Sequence, residues 1–263
     1  MCGTCGCGSE ENGVTIKNPK EAKAHEHHHH HDGHSHDHHH DHDHDHSHSH
    51  DHHHHKTVID IEQDILQHNE VMASRNRGYF EAKNIFALNL VSSPGSGKTS
   101  ILEQTLSDLK EEIPFYVIEG DQQTLNDANR IDTLGIPVVQ INTGKGCHLE
   151  SDMVYDAVKK LNIEDNAILM IENVGNLVCP SMFNLGESKR IVIISTTEGE
   201  DKPIKYPDMF HTSDICIINK IDLLPYININ LDKLKEYALQ VNPNLQFFEV
   251  SATTGEGMQE WYN

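Results

Sequence analysis

Short apolar runs that alternate with helical patterns restrict the foldable part of this chain to an α/β architecture. The runs are IFALNLV (85–91), PFYVIE (114–119), PVVQI (137–141), AILMIE (167–172), IVIIST (191–196), ICIIN (215–219) and FFEVSA (247–252). Continuous apolar runs are typical of parallel strands that are buried on both faces. Helical patterns separate most of them, for example 98–110 and 231–242, and an amphipathic helix is expected before them at about 58–75. The sequence therefore predicts three layers, a mainly parallel sheet with helices on both faces.

The segment before these runs is built from residues that cannot form a core. Of the 23 histidines in the chain, 20 lie between His25 and His55, in a tract without aliphatic, aromatic or basic residues. This composition predicts disorder in the isolated segment. We therefore divide the chain into a cysteine-rich segment with a linker (1–24), a disordered His/Asp tract (25–55) and one folded domain (57–263).

A phosphate-binding loop lies where the first apolar run meets the following helix. LVSSPGSGKTS (90–100) matches the pattern GxxxxGK[ST], except that Ser92 takes the place of the first glycine. The glycines let backbone N–H groups surround phosphate oxygens, the lysine neutralises β- and γ-phosphate charge, and the threonine hydroxyl reaches Mg²⁺. An ordinary Ser/Gly turn is the alternative, but strand, loop, lysine and helix all occur in order. The predicted phosphate-binding residues are Gly95, Ser96, Gly97, Lys98, Thr99 and Ser100.

A guanine-reading motif follows the sixth apolar run. NKID (219–222) has the NKxD spacing, and SA (251–252) follows the next run. The Asp222 carboxylate can accept hydrogen bonds from guanine N1–H and the 2-amino group, whereas adenine would leave this charge unpaired. A loop with a capping aspartate is the alternative, but the position downstream of a phosphate loop favours a GTPase. The predicted base-binding residues are Asn219, Lys220, Asp222, Ser251 and Ala252.

Two carboxylates that end strand runs are candidates for a magnesium site. Glu172 takes the place of the aspartate in a DxxG-like segment, ENVG (172–175), and can hold a water on Mg²⁺. Asp121 is a candidate for a second Mg²⁺ contact or for positioning the attacking water, and a helix N-cap is the alternative. Thr99, Asp121 and Glu172 form the predicted magnesium site, and Lys98 and Asp121 are the predicted catalytic residues. No Gln or Arg stands out as a catalytic device, so slow intrinsic hydrolysis is expected.

The folded domain also contains three candidate ligands for a transition metal. Cys147 and His148 lie in GKGCHLE, and Cys179 lies in GNLVCPS. Two thiolates and one imidazole suit Zn²⁺ or Ni²⁺. A single cysteine is often a small buried hydrophobe, which is our interpretation of Cys216 in ICIIN. The spacing leaves open whether the three ligands meet in one chain or across a dimer interface.

The N-terminal arm, which comprises the segments 1–24 and 25–55, contains two further types of candidate metal site. Cys2, Cys5 and Cys7 form CxxCxC at the start of the chain, and with the terminal amine they could bind nickel or zinc. An iron–sulfur cluster normally needs four cysteines, which argues against one. The His/Asp tract should hold several divalent ions loosely through neutral imidazoles. A purification tag is the alternative, against which the irregular aspartates and the internal position argue.

Composition restricts the partners of this chain. Lys plus Arg is 20 and Asp plus Glu is 41, giving a formal net charge of −21, which should repel nucleic acid and anionic membranes. No apolar run approaches the roughly 20 residues of a membrane span, and no export signal is evident. We therefore expect a cytoplasmic protein with reduced thiols that binds neither nucleic acid nor membrane.

The motifs together resemble the hydrogenase nickel-incorporation GTPases, the HypB family of the SIMIBI class of P-loop GTPases. The resemblance covers essentially the whole chain and rests on CGTCGCG, the His-rich insert, SSPGSGKT, EGDQQT, INTGKGCHL, IENVGNLVCP, NKID and SATTGEG, in that order. It implies a three-layer P-loop NTPase fold preceded by a metal-binding arm. It also implies an arm nickel site at Cys2, Cys5 and Cys7 and a nickel or zinc site at Cys147, His148 and Cys179.

The resemblance further implies a function in nickel delivery. GTP-dependent homodimerisation and hydrolysis would help to insert nickel into the large-subunit precursor of a [NiFe] hydrogenase, with a HypA-type nickel/zinc accessory protein as partner. A urease-type nickel GTPase is the nearest rival, but it would be expected to contain Cys-Pro-His, and here Ser181 follows Cys179-Pro180. A nickel or zinc storage protein is another, although it would leave the intact phosphate loop and NKxD motif unexplained.

Overall fold

One sheet organises the part of the chain that the computed structural model describes, residues 14–18, 58–122 and 126–263. Its strands are β1 (Thr15–Lys17), β2 (Phe86–Ser92), β3 (Phe115–Asp121), β4 (Val138–Asn142), β5 (Ile168–Glu172), β6 (Lys189–Ser195), β7 (Ile215–Asn219) and β8 (Gln246–Glu249). The spatial order is β1-β4-β3-β5-β2-β6-β7-β8. Strands β2 to β8 are parallel, and β1 pairs antiparallel with β4. The predicted mainly parallel sheet is confirmed, with strand bounds shifted by at most three residues.

Helices cover both faces of this sheet. They are α1 (Val58–Ala82), α2 (Lys98–Leu109), α3 (Asn126–Thr133), α4 (Ser151–Leu161), α5 (Lys202–Lys205), α6 (Pro207–His211), α7 (Leu231–Val241) and α8 (Met258–Tyr262). Helices α2, α3 and α8 bury Leu102, Ile131 and Met258 in the core on one face. On the other face, α1 and α4 contribute to one cluster of buried residues, and α6 and α7 contribute to a second. The three-layer arrangement is therefore the one predicted.

The side chains of strand β2 alternate between the two faces of the sheet and contribute to the core on each face. Leu88 and Leu90 join the core under α2, whereas Ala87 and Val91 point to the opposite face, as expected when successive side chains alternate. Asn89 shares the face of Ala87 and Val91, and it is fully buried although polar. A buried amide in the middle of an apolar strand needs hydrogen-bond partners, and its partners connect distant parts of the molecule.

Helix α1 is longer than the predicted 58–75, because it continues to Ala82. Its buried face carries Asn69, Ala73, Asn76 and Phe80, which keep the spacing of one helical face. The sequence pattern of aliphatic residues predicted a shorter helix because two positions of this buried face are asparagines. Their amides are satisfied by backbone carbonyls: Asn69 donates to Asn184 O, and Asn76 donates to Ser151 O and Leu185 O.

The sheet also includes one short segment from outside the predicted domain, 57–263. Thr15–Lys17, which we assigned to the linker, forms the edge strand β1 against β4. Ile16 packs on the core beneath α4, and the Lys160 ammonium donates to the Ile16 carbonyl. Three residues are too few for an alternating pattern to predict a strand. At the other end of the fold, helix α8 is short, spanning Met258–Tyr262.

Candidate nucleotide pocket and metal centre

The phosphate loop joins β2 to α2 and lines a cavity of about 430 Å³. Gly95 and Gly97 have φ of 78° and 93°, a conformation that favours glycine. A Cβ at Gly97 would also collide with the Asn219 amide, so this glycine is needed for close packing as well as for the turn. Ser96 is fully buried, and Ser100 lines the cavity with Lys98 and Thr99. The loop thus has the shape that its sequence predicts.

Lys98, Thr99 and Glu172 meet at the bottom of this cavity. The Lys98 ammonium lies 3.0 Å from Glu172 Oε1 and donates to the Asn173 carbonyl at 2.6 Å, and the Thr99 hydroxyl donates to Glu172 Oε1 at 2.6 Å. Glu172 Oε2 is buried and accepts no hydrogen bond. A threonine hydroxyl beside a carboxylate with an unused oxygen fits Mg²⁺, which prefers hard oxygen ligands. The donor set of the predicted magnesium site is therefore suitable.

A third carboxyl group, that of Glu119, lines this cavity and was not among the predicted site residues. Glu119 pairs in register with Glu172 across β3 and β5, is 2% exposed, and its Oε2 accepts no hydrogen bond. Burial, reinforced by the charges of Glu172 and Asp121, raises the pKa of the Glu119 carboxyl to about 9. An acidic residue two positions before Asp121, on the same strand face, was the signal that could have identified it.

Asp121 ends β3 and lines the cavity, and its Oδ1 accepts the N–H of Gln122 at 2.6 Å. The described part of helix α3 starts at Asn126. Arg130 of α3 lines the same cavity, where its guanidinium pairs with Glu103 and Asp127. Sequence reasoning did not single out this arginine, because only the fold turns α3 towards the phosphate loop.

The base-reading motif is tied directly to the phosphate loop. The Asn219 amide donates to Ser96 O at 2.9 Å, and the Lys220 ammonium donates to Gly95 O at 2.7 Å. On the other side, Asn219 Oδ1 accepts the Ala252 N–H at 3.3 Å. The fold thus joins the loops after β2, β7 and β8 into one edge.

Asp222 is oriented by the second base-reading segment. The Ser251 hydroxyl donates to Asp222 Oδ1 at 2.6 Å. Ser251 is fully buried, whereas Asp222 is partly exposed, so the carboxylate is held at one oxygen and remains partly accessible to solvent. All predicted base-binding residues lie at this edge of the sheet.

Cys147, His148 and Cys179 come together within one chain. Their potential ligand atoms all lie within 4.8 Å of one another. Cys147 Sγ is 2.7 Å from Cys179 Sγ and 3.8 Å from His148 Nδ1. The question that spacing left open is resolved here, because the three ligands do not need a second chain to meet.

The surroundings of this cluster fix its imidazole. The His148 ring stacks on Phe183 at 3.9 Å between centroids, and His148 Nε2 lies 3.5 Å from Glu150 Oε1. Cys179 begins a short 3₁₀ turn, Cys179–Met182, and is buried. Cys216, by contrast, is fully buried in β7, where burial raises the pKa of its thiol. This agrees with its interpretation as a core residue.

The remaining predicted ligands cannot be placed. Cys2, Cys5 and Cys7 and the His/Asp tract (25–55) lie outside the described residues. In the part of the chain that the structure describes, no helix is both long and apolar enough to cross a membrane.

Comparison with known proteins agrees with this geometry. The family CobW/HypB/UreG, nucleotide-binding domain, matches residues 86–249. The hydrogenase maturation factor HypB of Escherichia coli (strain K12) is 52% identical over 208 residues, covering 79% of this chain and 72% of that protein. That of Rhizobium leguminosarum bv. viciae is 56% identical over 205 residues, covering 78% and 69%.

A solved structure shares the fold. The crystal structure of HypB from Helicobacter pylori in complex with nickel matches with a TM-score of 0.71 and 39% identity, covering 74% of this chain and 92% of that one. The family match spans most of the described sheet, from β2 to β8. The pocket, the base-reading motif and these similarities lead to one conclusion: the chain belongs to the HypB family of P-loop GTPases.

Proposed function

We propose that this protein is a cytoplasmic, GTP-hydrolysing nickel metallochaperone. It binds nickel and assists its insertion into the large-subunit precursor of a [NiFe] hydrogenase, together with a HypA-type accessory protein. Nucleotide binding drives homodimerisation, and the nucleotide state controls how tightly nickel is held. The relatives named hydrogenase maturation factor and the nickel complex of the Helicobacter pylori protein support this assignment.

One observation carries the proposal: a thiolate and imidazole cluster lies at the same edge of the sheet as a guanine-nucleotide pocket. Cys179 follows Glu172 by seven residues, and Cys147 follows the end of β4 at Asn142 by five. A storage protein would need the cluster but not the pocket, and an ordinary GTPase would need the pocket but not the cluster. A nickel-delivery GTPase needs both.

The chemistry of the pocket supports GTP hydrolysis. The Lys98 ammonium would exchange its hydrogen bonds to Glu172 and Asn173 for hydrogen bonds to the β- and γ-phosphates. The N–H groups of the loop would surround the phosphate oxygens. Thr99 and Glu172 would hold Mg²⁺, which when bound would neutralise part of the negative charge on the phosphates. Asp121 would position the attacking water. Arg130 is held by Glu103 and Asp127, which leaves it paired away from phosphate and agrees with slow intrinsic turnover.

The chemistry of the cluster supports a transferable ion. Two thiolates and one imidazole are ligands that nickel and zinc both accept. Only three such groups lie together among the described residues, so a coordination position remains for an incoming or outgoing ligand. Val178 and Met182 flank Cys179 and are each 55% exposed, which offers an apolar surface next to the cluster for a second copy of the chain.

The decisive experiment combines nickel titration with light scattering on the full-length protein. With Mg²⁺ and a non-hydrolysable GTP analogue, the measured mass should double relative to the GDP form, and nickel affinity should differ between the two. Cys179→Ala should lose nickel at the inner site, whereas the matched control Cys216→Ala should keep it. A mass independent of nucleotide, together with equal nickel affinities, contradicts the proposal.

A further inference from the structure

A buried polar residue connects the phosphate loop to the first half of the metal cluster. Asn173 follows Glu172 and is fully buried. Its carbonyl accepts the Lys98 ammonium at 2.6 Å, and its side-chain Oδ1 accepts the Leu149 N–H at 3.2 Å. Leu149 is the residue after His148. One asparagine thus contacts the lysine that would bind phosphate and also the backbone that carries Cys147 and His148.

The same side chain begins a second branch across the sheet. Asn173 Nδ2 donates to Asn89 Oδ1 at 3.3 Å, and Asn89 Nδ2 donates to Glu187 Oε1 at 3.0 Å. Glu187 in turn pairs with Arg190 at 2.8 Å, with both side chains at most 7% exposed. The buried Asn89 amide in β2 thus has the hydrogen-bond partners that it needs. Through Glu187 and Arg190 these contacts extend towards Cys179, the third residue of the metal cluster.

Arg190 completes this branch at the turn that carries Cys179. Its guanidinium donates to Ser181 O at 3.2 Å and to Phe183 O at 2.8 Å. A planar guanidinium holds several acceptors in a fixed geometry, which lysine cannot do. Arg190, on strand β6, therefore holds the turn that carries Cys179 in position. Glu187 in turn orients Arg190.

We propose that Asn173, Asn89, Glu187 and Arg190 form a positioning chain that couples the nucleotide state to the spacing of the metal ligands. The inference rests on the proposed function, since it requires Lys98 to bind phosphate. Lys98 donates to Asn173 O, and phosphate oxygens compete for that ammonium: GDP offers it only the β-phosphate, whereas GTP adds the γ-phosphate as a second acceptor. When Lys98 turns to the phosphate, the segment at Asn173 loses a charged partner and shifts.

Because the residues of the positioning chain are buried, a shift at Asn173 reaches the metal ligands. A buried polar group that loses its partner is costly, so a fully hydrogen-bonded chain tends to move as a unit. The segment of Cys147 and His148 is connected to Asn173 through the N–H of Leu149. The turn that carries Cys179 is connected to it through Arg190. A movement of Asn173 therefore changes the distance between Cys147 and Cys179. By reciprocity, an ion at the cluster must alter nucleotide affinity by the same factor.

The test uses the full-length chain with Cys2→Ser, Cys5→Ser and Cys7→Ser. In this background, thiolate-to-nickel charge-transfer bands report on the inner cluster, and imidazoles of the His/Asp tract give no such band. Nickel affinity is measured from the band with Mg²⁺ plus GDP and with Mg²⁺ plus a non-hydrolysable GTP analogue. The parent should show a ratio between the two affinities in the usual range of about 5–150-fold.

Asn89→Leu keeps the branched shape and the number of heavy atoms of the side chain but removes the central hydrogen bonds of the positioning chain. We expect the ratio to fall towards one and the band to move, with GDP and GTP affinities of the nickel-free protein unchanged, because Asn89 contacts neither ligand. The matched control is Ser188→Ala, which removes the hydrogen bond from Ala87 N–H to Ser188 Oγ between the same strand and the same loop. It should keep the parent ratio, which separates positioning from a general loss of stability.

Arg190→Lys tests the far end independently of β2. It retains a charge beside Glu187 but cannot reach both carbonyls of the Cys179 turn, so the ratio should again fall. If Asn89→Leu and Arg190→Lys both bind nickel with the parent ratio, the positioning chain is wrong while the proposed function stands. A parent ratio of one instead contradicts nucleotide control of nickel, and absence of the band contradicts the inner metal site itself.

Discussion

Glu119 lies at the end of β3, where its buried carboxyl faces two other acidic side chains, Glu172 and Asp121. Its pKa is raised from 4.5 to about 9, so the folded protein binds a proton that the unfolded chain releases. The resulting stabilisation is complete below about pH 4.5 and is lost as pH rises towards 9. The loss is at most about 1.4 kcal/mol per pH unit.

Glu119→Gln should therefore flatten the pH dependence of unfolding. A neutral amide of the same shape avoids the cost of ionising a buried group, so the variant should gain stability over the parent between pH 5 and 9. Chemical denaturation without metal or nucleotide measures this, and comparing the two proteins cancels the titration of the shared histidines. Parallel curves over this pH range would show that Glu119 ionises freely in the folded protein.

Asp222 is the residue that we predict to select guanine over other bases. Asp222→Asn places an amide where guanine also presents donors, so two charge-assisted hydrogen bonds, each about 1.5–3 kcal/mol, are lost. GTP affinity should fall by about 100-fold or more, and XTP, whose 2-oxo group can accept, should gain affinity. Competition binding with GTP, ATP and XTP measures both effects. Asp232→Asn in the first turn of α7 is the control, and unchanged GTP affinity in Asp222→Asn would refute the assignment.

Strand β1 shows that an element outside the predicted domain can contribute to its stability. It covers the edge of β4 and buries part of Ile16 against the core beneath α4. Ile16→Ala should lower the free energy of unfolding by about 1 kcal/mol, less than the 2–5 kcal/mol of a fully buried isoleucine. The exposed Val14 just before the strand is a matched control, since Val14→Ala should change stability by no more than about 0.5 kcal/mol.

A fragment spanning 57–263 lacks this strand altogether. It should unfold at lower denaturant concentration than the full chain and should self-associate more readily, because the open edge of β4 can pair with another chain. Denaturation and light scattering at several protein concentrations measure the two effects. Equal stability of fragment and full chain would mean that the β1–β4 pairing contributes nothing measurable.

The elements that sequence predicted well are those with a local signature. The phosphate loop and the NKxD segment each carry their chemistry within a few residues, and apolar runs mark β2 to β8. The convergence of Cys147 with Cys179, the burial of Glu119 and the hydrogen bonds of Asn173 depend instead on strand order. No local pattern specifies that β5 lies between β2 and β3, so these contacts required the fold.

The whole molecule carries candidate metal ligands of three kinds, and they differ in how the fold positions them. The inner cluster is fixed by stacking on Phe183 and by backbone contacts near Cys179. The arm cysteines and the His/Asp tract lie outside the described residues, and their contribution follows from ligand type. Thiolates bind nickel tightly, whereas neutral imidazoles in a tract without a core bind several ions loosely.

This division predicts separable losses in the full-length protein. Cys2→Ala or Cys5→Ala should remove the tightest nickel site and leave GTP hydrolysis intact, because Lys98, Thr99 and Glu172 belong to the folded domain. Deleting 25–55 should instead lower nickel stoichiometry while the tight site remains. Equilibrium dialysis gives stoichiometry and affinity, and phosphate release gives turnover. If tight binding survives loss of the cysteines and disappears with the histidines, the two segments have the opposite roles, and the tract rather than the arm delivers the ion.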